Sequence, residues 1–286
     1  MELLKRIGER FLYSHLFLGL CAAAMLQSTR LLFQLPLAAT PATGLVLLLT
    51  VSYYNLHKYA GQLAFRSPGA FLRSFFGTPI RPLDRFLFLL AALAAPWLCW
   101  QCGWTITLLA AAMALVSLAY SVPAIPQAGR KIRLREMVYL KLSALSFVWA
   151  VMTVTVPLLE AGISLLALRP VLLFVNVAGF IYLLCIPFEL RDIAREQAKG
   201  VLTFAVLHGE RFTRRVAYVI ALLLVALHHL PGYLEPGQSW LLSAVVLLSV
   251  VWIPLKHPQP RPWFYKGVVD GMMLLRFLVL YIFSEV

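Results

Sequence analysis

The sequence predicts an all-α, polytopic membrane protein of about nine transmembrane helices, and three observations point there. Of 286 residues, 61% are hydrophobic and only 13% charged, where an ordinary soluble domain carries roughly a quarter charged residues. Apolar stretches recur at lengths close to the roughly 17–25 residues a spanning helix needs. The basic residues also collect in alternate connections between those stretches, which is how a chain crossing a bilayer repeatedly distributes them.

In order, the apolar stretches cover residues 12–29, 40–59, 84–101, 104–122, 137–158, 167–188, 214–231, 238–255 and 266–284. The fourth and ninth have clear limits. Arg30 blurs the end of the first and Arg169 the start of the sixth. No soluble domain fits between them, so residues 1–286 read as a single transmembrane domain. The run after Lys5, Arg6 and Arg10 could be taken for a secretory signal. A charged, surface-lying first turn accounts for it equally well, and eight further stretches follow.

On one side of these stretches stand 21 of the 25 lysines and arginines, leaving only Arg30, Lys141, Arg169 and Arg276. The connections on that side, 60–83, 123–136 and 189–213, are the long ones. Those around Cys102, Gly162 and Gly232 are short. The positive-inside rule therefore places the N-terminus in the cytoplasm and, after nine crossings, Val286 outside. The net charge of +13 follows from topology and from attraction to anionic membrane lipid, with no nucleic acid partner implied. Cys99 and Cys102 form a C-x-x-C without a second pair to complete a zinc site, and His228 and His229 read as interfacial residues.

The densest chemistry lies after the sixth stretch. Glu189, Asp192 and Glu196 are spaced three and four apart, so on a helix they fall within one sector about 60° wide. Carboxylates so close invite a divalent cation, and Mg²⁺ bound this way usually bridges to substrate phosphates. The same residues also read as a solvated face, because Arg191, Arg195 and Lys199 form an adjacent basic stripe.

The run Glu189-x-x-Asp192-x-x-x-Glu196-x-x-x-Gly200-x-x-Thr203-Phe204-x-Val206-x-x-Gly209 resembles the second aspartate-rich motif of the UbiA-type intramembrane prenyltransferases, with two aspartates replaced by glutamate and a leucine by phenylalanine. Arg81-Pro82-Leu83 and Tyr120-Ser121-x-Pro123, followed by Arg130-Lys131, are similar to lesser motifs of that family. The first motif, N-D-x-x-D, is represented only by Asn55-Leu56-His57-Lys58-Tyr59, without either aspartate.

The resemblance implies nine helices around a central cavity open to the cytoplasmic side, with the second and sixth stretches as neighbours. It implies Mg²⁺ as cofactor, and a prenyl diphosphate and a lipophilic acceptor as partners. Glu189, Asp192 and Glu196 would then be the metal-binding and catalytic residues. Asn55, His57, Lys58, Arg81, Tyr120, Lys131, Tyr139 and Lys141 would be the substrate-binding ones. The expected reaction is Mg-dependent transfer of an isoprenyl group within the membrane. Loss of the first motif keeps open a relative that only binds an isoprenoid or other anionic lipid. The ionisable residues Lys141, Asp270 and Arg276 inside apolar stretches keep open a transporter.

Overall fold

The computed structural model describes residues 8, 11–60, 62–63, 67–127, 130–253 and 263–285. Lys5, Arg6, Arg10, Arg66, Lys256, Arg261, Val286 and the last two positions of the eighth apolar stretch lie outside the described residues. The helices are α1 (Leu16–Leu32), α2 (Pro41–Tyr59), α3 (Pro68–Gly77), α4 (Pro82–Cys102) and α5 (Trp104–Ser121). After them come α6 (Leu140–Glu160), α7 (Leu168–Ala198), α8 (Phe204–His228), α9 (Pro236–Val250) and α10 (Phe264–Glu285). Between α5 and α6, β1 (Ile125–Gln127) and β2 (Arg130–Ile132) form an antiparallel hairpin. Each of the nine apolar stretches lies on a helix, and α3 is an additional short one in the connection 60–83.

Five of these helices, α4, α5, α6, α7 and α10, are long and apolar enough to cross a membrane. The others fall short for visible reasons. At 15 residues, α9 rises about 22 Å, less than the roughly 30 Å of a hydrocarbon core. The end of α2 is polar, from Asn55 to Lys58, and α8 opens on Glu210, Arg211, Arg214 and Arg215. Large apolar side chains face outward, among them Leu93 at 80% exposure and Trp100 at 78%. A protein surrounded by water rarely shows such surface contiguously.

Consecutive helices pack against each other around a closed circuit: α1 on α2, α2 on α4, then α4 through α10 each on the next, with α10 returning to α1. Inside this circuit α1 also packs on α6, and helix ends punctuated by proline and hydroxyl caps fix where each wall begins. Thr40 caps α2 by accepting from the Thr43 amide, with Pro41 supplying a preset first turn. Inside α6, Pro157 cannot donate to the carbonyl four residues back, that of Thr153. The helix widens into a π turn over Val151–Thr155, and the Thr29 hydroxyl donates to the freed Thr153 carbonyl at 2.7 Å.

Two isolated charges are absorbed at the ring's other end. Arg30 pairs with Glu160 at 3.1 Å, while Arg276 donates to Asn176 at 2.9 Å and lies over the Phe180 ring. The reading of His228 as interfacial is corrected. It is fully buried, with Nδ1 on the Ser243 hydroxyl at 3.1 Å, because α9 folds back over the end of α8.

Candidate functional site

Several elements converge at one end of the ring: the residues entering α1, the C-terminal ends of α2, α5 and α7, the exit of the hairpin, the connection into α8, and the starts of α6 and α10. They enclose a polar chamber of about 580 Å³. Seven basic side chains (Arg133, Arg135, Lys141, Arg191, Arg195, Lys199 and Lys266) and five carboxylates line it. A second chamber of about 300 Å³ lies deeper, between α2, α5 and α6, and no charged side chain among the described residues lines it. The two meet at Tyr54, Tyr120, Leu145 and Trp149, where the indole of Trp149 donates to the Tyr54 hydroxyl at 3.2 Å. Ala114 and Leu118, one turn apart on α5, line the apolar chamber yet are exposed, so it also reaches the outer surface of the ring.

The three carboxylates expected to share a helix sector do so. All lie on α7 and all line the polar chamber. Their basic neighbours engage them. Arg191 forms a bidentate pair with Asp192 at 2.8 and 3.0 Å, and Arg195 bridges Asp192 at 2.8 Å and Glu196 at 3.1 Å. Glu189, only 2% exposed, pairs through Oε1 with Lys141 of α6, and its Oε2 has no partner among the described residues. The Arg191 guanidinium also lies over the rings of Phe188 and Tyr265, which fixes its plane.

Of the other expected site residues, His57, Tyr120 and Lys141 line the same chamber. The ends of α2 and α7 face one another across it rather than packing together. Asn55 is buried beside it, donating to the Ser14 carbonyl at 2.9 Å. Lys58 and Arg81 turn instead to Asp84, at 2.6 and 3.6 Å, a buried carboxylate that also accepts from the Tyr59 hydroxyl. Tyr139 is exposed, with its hydroxyl on His208, and Lys131 is exposed on β2. Sequence reasoning did not select His15, Arg135 or Lys266 as site residues. Nothing local marks them, because each enters the chamber from a different segment.

Magnesium, implied by the resemblance, does not fit this arrangement. The ion needs near-octahedral oxygen ligands and usually one or two carboxylates free to bind it. Both oxygens of Asp192 are taken by guanidinium groups, and Glu196 Oε1 and Glu189 Oε1 by Arg195 and Lys141. Among the described residues no group of three or more His, Cys, Asp or Glu side chains is placed to hold a metal ion.

The rest of the α7–α8 motif is a helix stop and a helix start. Gly200 has φ 65°, and the amides of Gly200 and Val201 donate to the carbonyls of Gln197 and Glu196 at 3.0 Å, the paired bonds of a Schellman ending. Thr203 then caps α8 by accepting from the Val206 amide. At Gly209 the chain breaks again, with φ 78° and ψ 163°, a region open essentially to glycine. Gly209→Ala is therefore expected to cost about 1–3 kcal/mol, read as a lower unfolding temperature in detergent. An unchanged midpoint would mean that the break is dispensable.

Compared with family models, curated proteins and solved structures, the chain matches none of them.

Proposed function

We propose that the chain spans the membrane nine times with its N-terminus and polar chamber on the cytoplasmic side, binds a prenyl diphosphate, and transfers the prenyl group to a lipophilic acceptor. The observation that supports this most is the adjacency of the two chambers. A basic compartment suited to a phosphorylated head shares the wall formed by Tyr54, Tyr120, Leu145 and Trp149 with an uncharged one suited to its hydrocarbon tail. Pockets of this size, apolar with a few convergent polar groups, are the usual form of small-molecule sites. The exposed lining at Ala114 and Leu118 gives the tail a route in from lipid.

In this reading the reacting allylic carbon sits at the junction. Chamber cations neutralise the diphosphate as the C–O bond breaks, and stabilisation of charge that develops only in the transition state raises the rate. The faces of Tyr54, Tyr120 and Trp149 are placed to attract a carbon that becomes cationic.

The ion-paired carboxylates favour a second reading, a protein that binds such a lipid without reacting it. Diphosphate release separates the two. The assay uses protein in liposomes with a total lipid extract as acceptor source and prenyl diphosphates of 10 to 20 carbons. Release above that of protein-free liposomes is expected, falling about ten-fold or more in Asp192→Asn, because Arg191 and Arg195 lose the charge that holds them. Tight binding with no release across that range would select the binder.

A further inference from the structure

We infer that the polar chamber recognises a phosphate head directly through Lys266 and Arg135, without a divalent ion. The inference rests on the reading that the chamber holds a phosphorylated lipid, and it addresses how the head is held.

The cations of the chamber fall into two groups. Lys141, Arg191 and Arg195 are committed to the carboxylates of α7, and Arg133 stands 3.9 Å from Glu136. Lys199, Lys266 and Arg135 line the chamber and have no carboxylate within 4.0 Å among the described residues; Lys199 is exposed, whereas Lys266 and Arg135 are half-buried. Asp270, one turn beyond Lys266, attracts it without contact.

Lys266 and Arg135, the two half-buried ones, are each held by a neutral imidazole. Lys266 Nζ lies 3.3 Å from His15 Nε2, and Arg135 Nη1 lies 3.1 Å from His57 Nε2. Ammonium and guanidinium groups can only donate, so each Nε2 must accept, and the proton of each ring sits on Nδ1. That proton has a partner in both cases. His15 Nδ1 donates to Asn55 Oδ1 at 3.1 Å, and the Asn55 amide continues to the Ser14 carbonyl. His57 Nδ1 donates to Ser121 Oγ at 2.7 Å, and that hydroxyl donates to Tyr53 at 3.1 Å.

The polarity of both chains is therefore consistent from the cation inward. A carboxylate partner would neutralise the cation, whereas a neutral acceptor orients it and leaves its whole charge for an anion. Lys266 is further seated over the Tyr13 ring. In the stretch where the resembled family carries its first pair of aspartates, this chain thus presents Asn55 and His57 as supports for cations. Charge-assisted bonds from Lys and Arg to phosphate oxygens replace metal bridging.

The test is equilibrium binding of labelled farnesyl diphosphate to the full-length protein in nanodiscs, in EDTA and in Mg²⁺. Affinity is expected to agree within about two-fold between the two conditions. Lys266→Met and Arg135→Met should each weaken it roughly ten-fold or more, the scale of one lost bond to a charged group. Lys266→Arg should restore most of the loss, which a merely structural lysine would not require, and Arg73→Met, exposed on α3 and outside the chamber, should change nothing. Inorganic diphosphate should compete only at far higher concentration.

Binding that appears only with Mg²⁺ overturns the inference and leaves the lipid reading standing. Absence of binding in both conditions, or equal competition by inorganic diphosphate, overturns the lipid reading as well. Should the methionine variants unfold, the EDTA comparison on the native chain and Lys266→Arg still decide.

Discussion

Lys141→Met is expected to destabilise the folded protein by about 3–5 kcal/mol, the cost of leaving one member of a buried ion pair without its partner. The effect should be strongly asymmetric. Removing Lys141 strands Glu189, which is 2% exposed and already has one oxygen unpartnered. Removing the charge at Glu189 strands only Lys141, whose side chain is 16% exposed in a polar chamber and can reach water. Glu189→Gln should therefore cost clearly less. The double variant Lys141→Met with Glu189→Gln should recover much of the stability of the native chain, because an amide requires no counter-charge. Unfolding of all three in one detergent gives the comparison. Equal losses in the two single variants would show that burial of Glu189 does not govern this pair.

That pair also illustrates what was legible in the sequence. The positions of Glu189, Asp192 and Glu196 follow from helical periodicity alone, and all three do line one chamber. Both of the alternatives that the spacing left open are realised in part: the carboxylates face a cavity, and the basic stripe engages them. Arg191 and Arg195 are near neighbours, so their pairing is a local matter. Lys141 comes from the neighbouring helix of the circuit, α6, and no local pattern announces it.

The same limit explains Lys58, placed with Arg81 by motif likeness among the substrate-binding residues; the Arg81–Asp84 pair is itself local, three residues apart. Asp84 draws both, although it is separated from Lys58 by 26 residues and becomes its neighbour only when α4 packs on α2. Helix positions were legible because apolarity and length are properties of a segment. The limits of α8 were not, since a glycine break at Gly209 and a charged opening turn extend it well before the apolar stretch that marks it. His15 and Lys266, 251 residues apart, meet only because the ring closes α10 onto α1.

On the proposed prenyl lipid reading, closure of the ring would also set how much tail the apolar chamber admits, which yields the second large effect. Ala110 lines that chamber from α5 and is almost fully buried, so a larger side chain there has the chamber as its nearest free space. Ala110→Phe is expected to shorten the tail that fits. In a membrane the competing environment for the tail is lipid, so little hydrophobic driving force distinguishes the two, and packing decides. At about 0.1–0.2 kcal/mol for each atom pair in contact, displacing the last carbons of a long tail forfeits some ten to twenty contacts. That amounts to roughly a ten- to hundred-fold loss of affinity.

A 20-carbon prenyl diphosphate should suffer this loss and a 10-carbon one should not, because the shorter tail ends before the obstruction and both heads meet the same cations. The measurement is the ratio of the two affinities in native and variant protein, which cancels any general damage to the fold. A ratio unchanged by Ala110→Phe would place the tail outside the chamber and remove the main support for the prenyl lipid reading. A uniform loss for both lengths would instead point to a disturbed junction at Tyr54 and Trp149.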